Sequence, residues 1–299
     1  MDTLSDEILV EILTKMNLTE ISHFFLTCKK FSSFDEETLW KQLIKIRFPK
    51  YFPYKSNLMT WKQICIACTY PMISRCNTKK YLGHKQVETG EYVGEYIGNA
   101  QPRGIGIFIE EKRVIVGNFD DLVINGYGEI YYSSGNKFQG NFINNQITGQ
   151  GRTESNTGSI GEGQFKKGVM RKGMYYFSSG NVYEGSFNKR AQFEGYGVYK
   201  WEDGCKYIGN WKDGKKWDMG TSIFSNGIIY IGKHEDKRNG EGKLYWPNGD
   251  IFEGTWKNSK RYGKGIFTEY ATGKKYEQFW IDDIEKYNMI LPERFPSSQ

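Results

Sequence analysis

Tyr183-Glu184-Gly185-Ser186-Phe187, then Gly195, Gly197, Tyr199 and Trp201, then the turn Glu202-Asp203-Gly204, is the stretch that decides the fold. The same unit of about 23 residues returns with Tyr207, Gly209 and Trp211, with Tyr230, Gly232 and His234, and with Phe252, Gly254 and Trp256. Traced backwards, its glycine occupies Gly94, Gly117, Gly140 and Gly163 before Gly185, Gly209, Gly232 and Gly254, at steps of 22 to 24 residues. A second glycine register, Gly106, Gly128, Gly151, Gly173, Gly197, Gly220, Gly242 and Gly265, keeps the same period. Self-similarity at a fixed spacing of this size marks a repeat array.

Alternation gives the unit its physical content, since residues i, i+2 and i+4 of a strand share a face. Tyr183, Gly185 and Phe187 therefore point one way and Glu184 and Ser186 the other. In the second half of the unit Gly195, Gly197, Tyr199 and Trp201 share a face, as do Gly240, Gly242, Leu244 and Trp246. Glycine inside a strand marks close approach to the backbone. The expected occupant of that space is an aromatic ring from a neighbouring repeat, packed over the glycine. Polar segments such as Lys212-Asp213-Gly214-Lys215 and Pro247-Asn248-Gly249-Asp250 carry turn chemistry. Each unit is thus predicted to be a β-hairpin. About eight of them in series make a mainly β chain, an extended antiparallel meander forming a single twisted sheet.

The pattern Tyr-x-Gly-x-Trp followed by Gly-x-Gly resembles the MORN repeat (membrane occupation and recognition nexus), over roughly residues 92 to 280. The residues carrying the repeat are Tyr183, Gly185, Phe187, Tyr207, Gly209, Trp211, Tyr230, Gly232, Phe252, Gly254 and Trp256. Arg171 and Asp218 stand at first-glycine positions, His234 at an aromatic position, and Gly161 where the opening aromatic belongs, so these units, above all 160 to 175, are expected to be the least regular. A ninth copy starts at Tyr276 and fails at Gln278. After it, Ile281, Ile284, Tyr287 and Leu291 at roughly helical spacing, with Pro292 as a stop, predict a short C-terminal helix over 281–290 capping the last repeats.

The N-terminal 48 residues have a different period. Ile8, Leu9, Ile12 and Leu13, then Ile21, Phe24 and Phe25, then Leu39, Trp40, Leu43 and Ile44 predict three short helices. So small a core is marginal alone and is expected to lean on a partner. Leu4, Ile8, Leu9, Ile12, Leu13, Leu18, Ile21, Cys28, Phe31, Leu39 and Trp40 together resemble an F-box, with Ser5 where that family usually has Pro and Thr27 where it usually has an apolar residue. The resemblance implies docking on a Skp1-type adaptor of a cullin-based SCF ubiquitin ligase. An F-box joined to MORN repeats, in a chain rich in Asn, Lys, Ile and Tyr, also resembles proteins encoded by large DNA viruses of amoebae, in which case the ligase subunits are the host's. Residues 49–90 read as a helical and irregular linker, 91–280 as the array and 281–299 as cap and tail.

Composition bounds the function. The chain has 299 residues and a formal net charge of +6, with 35 glycines. No run of 18 apolar residues predicts a membrane span, and the acidic amphipathic start is unlike a signal peptide. Five scattered cysteines suit a reducing compartment, so the expected location is cytoplasmic or nuclear, the host cytoplasm if the chain is viral. Lys and Arg outnumber Asp and Glu by 7 to 1 over residues 49–90 but only by 26 to 21 over 91–275, which gives no continuous stripe for nucleic acid. Cys65-x-x-Cys68, with Cys76 and His84 nearby, is one pair only and reads as the buried face of a helix, not as a zinc site. His23, His84 and His234 lie in three separate segments with no poised partner, and the Gly-x-Gly pairs recur with the repeat, unlike a dinucleotide fingerprint. No catalytic residue, metal or cofactor is implied. The leading expectation is a non-catalytic SCF adaptor whose array binds a target protein; the alternative is a peripheral membrane scaffold with weak affinity for acidic lipids, disfavoured by the array's small net charge.

Overall fold

The computed structural model describes residues 81–97 and 101–292, with the isolated positions Lys41 and Lys45. The expected helices of 1–48, their adaptor-docking residues Leu4 to Trp40, and the Cys65–Cys68 pair lie outside the described residues. The chain divides after Asn156 into two compact units. The first carries β1 (Tyr81–Val87), β2 (Gly90–Ile97), β3 (Gln101–Ile109), β4 (Arg113–Asp120), β5 (Val123–Tyr132), β6 (Lys137–Ile143) and β7 (Gln146–Glu154). The second carries β8 (Ile160–Lys166), β9 (Val169–Tyr176), β10 (Val182–Phe187), β11 (Phe193–Lys200), β12 (Lys206–Lys212), β13 (Lys215–Ile223), β14 (Ile229–Glu235), β15 (Lys237–Tyr245), β16 (Ile251–Lys257), β17 (Lys260–Thr268), β18 (Lys275–Ile281) and β19 (Ile284–Ile290). Within each unit every strand pairs antiparallel with the next. The predicted hairpin meander is therefore present, with the two glycine registers facing each other: Gly185 pairs Gly197, which in turn pairs Gly209.

Two boundary expectations are corrected. Among the described residues strands begin at Tyr81, ahead of the expected start near Tyr92, because β1 supplies only a half-unit that lacks the full repeat signature, although Gly83 sits opposite Gly94 in the usual way. The predicted capping helix is strand β19, paired to β18 from Tyr276↔Ile290 to Ile281↔Ile284. Asp282 and Asp283 both have positive φ, 53° and 64°, the two-residue turn whose twist matches a hairpin. The same geometry recurs at Asn144-Asn145 and Asn258-Ser259. The turn thus overrides the helical spacing of Ile284 and Tyr287, and all seven residues of β19 are exposed.

The two glycines of each Gly-x-Gly have different tasks. A Cβ built on Gly197 would lie 2.6 Å from the Tyr183 hydroxyl oxygen, and one on Gly185 would lie 2.4 Å from the same atom. The ring over the glycine pair is thus the unit's own opening aromatic, folded forward along its strand, and not a neighbouring repeat's as expected. Tyr92, Phe138, Tyr207, Tyr230 and Phe252 cover their glycine pairs in the same way. Gly195, by contrast, has open space around it and φ of +67°. It lies opposite the register shift between Gly185 and Ser186, so left-handed backbone at a bulge is what it supplies. Asp218 fills the same role at φ 52°, which its short polar side chain tolerates, so this unit is regular despite its departure from the pattern. In the Gly161 unit no ring covers Gly163 or Gly173; backbone takes the place, with the Lys172 carbonyl oxygen 2.1 Å from a Cβ on Gly163.

Candidate functional site

Every repeat residue singled out from the sequence in β10 to β16 meets on one face of the second unit. The opening aromatics are buried because each ring lies flat over two glycines, and four of their hydroxyls donate to the backbone carbonyl three residues on: Tyr183 to Ser186 at 3.0 Å, Tyr207 to Asn210 at 3.0 Å, Tyr230 to Lys233 at 3.1 Å and, in the first unit, Tyr92 to Glu95 at 3.2 Å. Burial raises the Tyr183 phenol to about 12 and the Tyr207 and Tyr230 phenols further. These hydroxyls are structural donors that stay un-ionised at neutral pH.

The rings join edge to face in one unbroken file. Phe187 meets Tyr183 with centroids 5.1 Å apart, Tyr183 meets Trp211 at 5.6 Å, and Trp211 meets Tyr207 at 5.1 Å. Tyr207 meets His234 at 5.0 Å, His234 meets Tyr230 at 5.2 Å, and Tyr230 meets Trp256 at 5.2 Å. Trp256 meets Phe252 at 5.8 Å, and Phe252 meets Trp280 at 6.2 Å. All eight contacts have the T-shaped geometry that the ring quadrupole favours, each worth roughly 1 kcal/mol beyond burial. His234 is thus a ladder rung. Its Nδ1 donates to the Gly232 carbonyl at 3.0 Å and its Nε2 accepts from the Ser222 hydroxyl at 3.2 Å. Burial first, then the nearby Lys216 and Arg238 charges, pull its pKa down to about 4, so the ring is neutral and held, not poised for proton transfer.

Sequence reading missed the residues that cover this ladder. Across each hairpin, one residue pairs with the second aromatic of the unit: Pro102 with Tyr96, Ile124 with Phe119, Ile147 with Phe142, Met170 with Phe165, Phe193 with Phe187, Lys216 with Trp211, Arg238 with His234 and Arg261 with Trp256. Phe193 stacks on Tyr183 with centroids 3.8 Å apart. The next three are cations over rings: the Lys216 ammonium is 4.7 Å from the Trp201 centroid, the Arg238 guanidinium 4.4 Å from Trp256, and the Arg261 guanidinium 3.4 Å from Trp280. The missed signal was available, since these positions recur at 22 or 23 residues; their chemistry varies, so no constant letter marks them. Half-buried Phe224, Ile228 and Trp246 form the facing bank, enclosing with Arg238 and Arg261 a groove of about 400 Å³.

The opposite face of the second unit is mixed. Met219, Ile231 and Ile266 are exposed beside Lys233, Lys243 and Lys264, along a depression of about 660 Å³. Glu253 pairs Lys243 at 2.8 Å and Glu277 pairs Lys264 at 3.4 Å, surface pairs of small energetic weight. Among the described residues no group of three His, Cys, Asp or Glu side chains is placed to hold a metal ion. No helix among them is long and apolar enough to cross a membrane.

These hairpins match a known repeat family in sequence. The MORN repeat matches residues 138–160, 162–182, 183–206, 207–228, 233–251 and 252–268. Residues 138–268 are a MORN repeat array. The hairpins opening at Tyr92 and Ile115 lie before the matched MORN stretches, and Tyr92 covers Gly94 and Gly106 as the later rings cover theirs. Alsin of Rattus norvegicus is 30% identical over 135 residues, 42% of this chain, and Alsin of Homo sapiens 29% over the same length. The chain spans about 8% of the length of these relatives. Among solved structures, the SAS-4 (dCPAP) TCP domain of Drosophila melanogaster, in complex with a proline-rich motif of Ana2 (dSTIL), aligns over 50% of this chain and 82% of that one, at 14% identity and a TM-score of 0.34.

Proposed function

We propose that this chain is a non-catalytic substrate receptor of an SCF-type ubiquitin ligase, working in the cytoplasm or nucleus, with residues 1–48 docking a Skp1-type adaptor and the MORN array presenting a surface to a target protein. The observation that carries the reading is the ordered N-terminal set, Leu4, Ile8, Leu9, Ile12 and Leu13 through Cys28 and Phe31 to Leu39 and Trp40, because helix packing alone does not require that order or spacing. The array supports it by offering area without chemistry: its buried His234 is a neutral rung, and the buried phenols of Tyr183, Tyr207 and Tyr230 are pushed up by burial. If the chain is viral, the adaptor and cullin are the host's.

The test is capture of a Skp1-type adaptor by the full chain. Wild type is expected to retain the adaptor, and Leu9→Asp and Trp40→Ala to lose it, since an apolar docking face cannot bury a carboxylate without a cost of several kcal/mol. Equal retention by both variants refutes the adaptor role.

The competing reading is a membrane scaffold that binds acidic lipid. Exposed Met219, Ile231 and Ile266 beside Lys233, Lys243 and Lys264 favour it. Glu241, Glu253 and Glu277 line the same depression and cancel the attraction that several clustered cations must supply.

A further inference from the structure

The cation column on the ladder face is not uniform in what answers its charge. Each cation is tied to the turn one hairpin onward. Arg261 binds Asp283, backbone N–H and guanidinium both donating to Oδ1, at 2.9 and 3.0 Å. Lys216 accepts a backbone hydrogen bond from Asp236 at 2.7 Å and feels that carboxylate's charge. Arg238 has Ser259 in this place, donating to its carbonyl at 2.6 Å, and the carboxylate that acts on it is Asp283, which lines the same groove but is bound by Arg261. Phe224, Ile228, Leu244, Trp246 and Trp256 surround it. The site is thus a pair of guanidinium groups, Arg238 and Arg261, over an aromatic floor in a groove with an apolar bank, with the single carboxylate of Asp283 between them and one positive charge in excess.

We propose that this groove docks an extended peptide segment of a partner protein through a carboxylate on Arg238, with flanking apolar side chains against Phe224 and Trp246. Asp283 on Arg261 shows how a carboxylate seats in the column, using the chain's own side chain as the example. The spacing selects the ligand further. Successive cations are one hairpin apart, two strand spacings or about 9.6 Å, while a polyproline-II segment advances about 9.3 Å per turn of three residues. A segment lying across the strands in that conformation presents every third side chain to the column, so a second carboxylate three residues from the first reaches Lys216, where Asp236 already supplies part of the charge. A regular extended strand alternates its faces and does not repeat at three. The inference rests on the array as a protein-binding surface and does not involve residues 1–48.

The experiment uses the full chain and the fluorescein-labelled peptide (Glu-Leu-Pro)4, read by anisotropy at low and physiological salt, with (Gln-Leu-Pro)4 as the uncharged probe. The expected result is binding of the Glu peptide, at least tenfold weaker binding of the Gln peptide, a tenfold loss in Arg238→Gln, partial recovery in Arg238→Lys, and no change in Lys243→Gln on the opposite face. The Gln peptide keeps the test decisive even if Arg238→Gln misfolds. Absence of binding, equal binding of the two peptides, or equal losses in Arg238→Gln and Lys243→Gln overturns the proposal. So does Arg238-dependent binding of phosphatidylserine vesicles without peptide binding, which makes the face a membrane contact. Loss of peptide binding with adaptor capture intact refutes the groove alone, and the converse refutes the ligase reading alone.

Discussion

The early strands β2–β4 and the later strands β12–β17 share one hairpin plan but differ in how many of their faces are buried. In the first unit, Tyr92, Phe108 and Ile115 are buried on one face, and Val93, Ile107 and Val116 on the other at 0% exposure. In the second unit, Tyr207, Tyr230 and Phe252 are buried, while Ile231 and Ile266, at the positions matching Val116 and the strand after it, are 40% and 42% exposed. The sequences carry the difference: Val114-Ile115-Val116 and Gly106-Ile107-Phe108-Ile109 are near-continuous apolar runs, whereas Lys206-Tyr207-Ile208-Gly209-Asn210-Trp211-Lys212 alternates. The covering column changes likewise, from Pro102, Ile124 and Ile147 to Lys216, Arg238 and Arg261. The glycine pair and its ring fix the backbone of a unit; the residue beside the glycine and the residue covering the ring are left to set what each face meets.

The largest expected effect tests the two-faced burial. Val116→Asp places a carboxylate where no water reaches, and unfolding of the first unit by urea should be easier by about 3 kcal/mol or more. Ile231→Asp at the matching position of the second unit should change stability by no more than about 0.5 kcal/mol. Similar losses in both variants would mean that the two units do not differ in the way their burial implies.

A smaller effect separates the two glycines of one unit. Gly197→Asn puts a side chain into space held by the Tyr183 ring, and overpacking of this kind costs about 1–3 kcal/mol. Gly195→Asn meets nothing within 4 Å and keeps a residue that tolerates left-handed backbone, as Asp218 does at φ 52°. Its thermal midpoint should therefore stay within a few degrees of wild type, while that of Gly197→Asn falls clearly. A reversed order would return the Gly195 position to the role of ring pocket that alternation assigned it.

The hairpin period, the aromatic and glycine rows and the turns were legible because each depends on a restricted residue type: glycine where a Cβ would sit 2.3 to 2.9 Å from a covering aromatic side chain, and that aromatic itself in the units opening at Tyr92, Phe138, Tyr183, Tyr207, Tyr230 and Phe252. Three things were not. The owner of the covering ring could not be read, because strand alternation gives the face of a side chain and not its tilt along the strand. β19 was missed because Asp282-Asp283 is a weaker hairpin signal than Asn-Gly, while Ile284, Tyr287 and Leu291 happen to fit a helical period. The column through Lys216, Arg238 and Arg261 was hidden by its own variety, since Pro, Ile, Met, Phe, Lys and Arg all cover a ring, and only pairing across the hairpin shows that they share a place.

The smallest effect concerns the one ladder rung that titrates. His234 has its pKa lowered from the ordinary 6.5 to about 4. A group depressed in the folded state contributes stability above its unfolded pKa and loses it as pH falls toward the folded value, because the unfolded chain takes up the proton first. Stability of the second unit should therefore be constant from pH 8 to 7 and decline between about 6.5 and 4, by on the order of 2 kcal/mol from this residue. The Glu277 carboxylate, held below the usual carboxylate range by the Tyr287 hydroxyl and by Lys264, titrates below the upper half of that window, which leaves that half to the histidine. His234→Trp restores the usual aromatic of the repeat, gives up the Ser222 hydrogen bond at 3.2 Å, and should remove the decline between pH 6.5 and 5 while leaving that below 4.5. The measurement is the urea midpoint of wild type and variant at half-unit steps of pH. A variant curve parallel to that of wild type across the upper half of the window would place the titrating group elsewhere and leave His234 as packing alone.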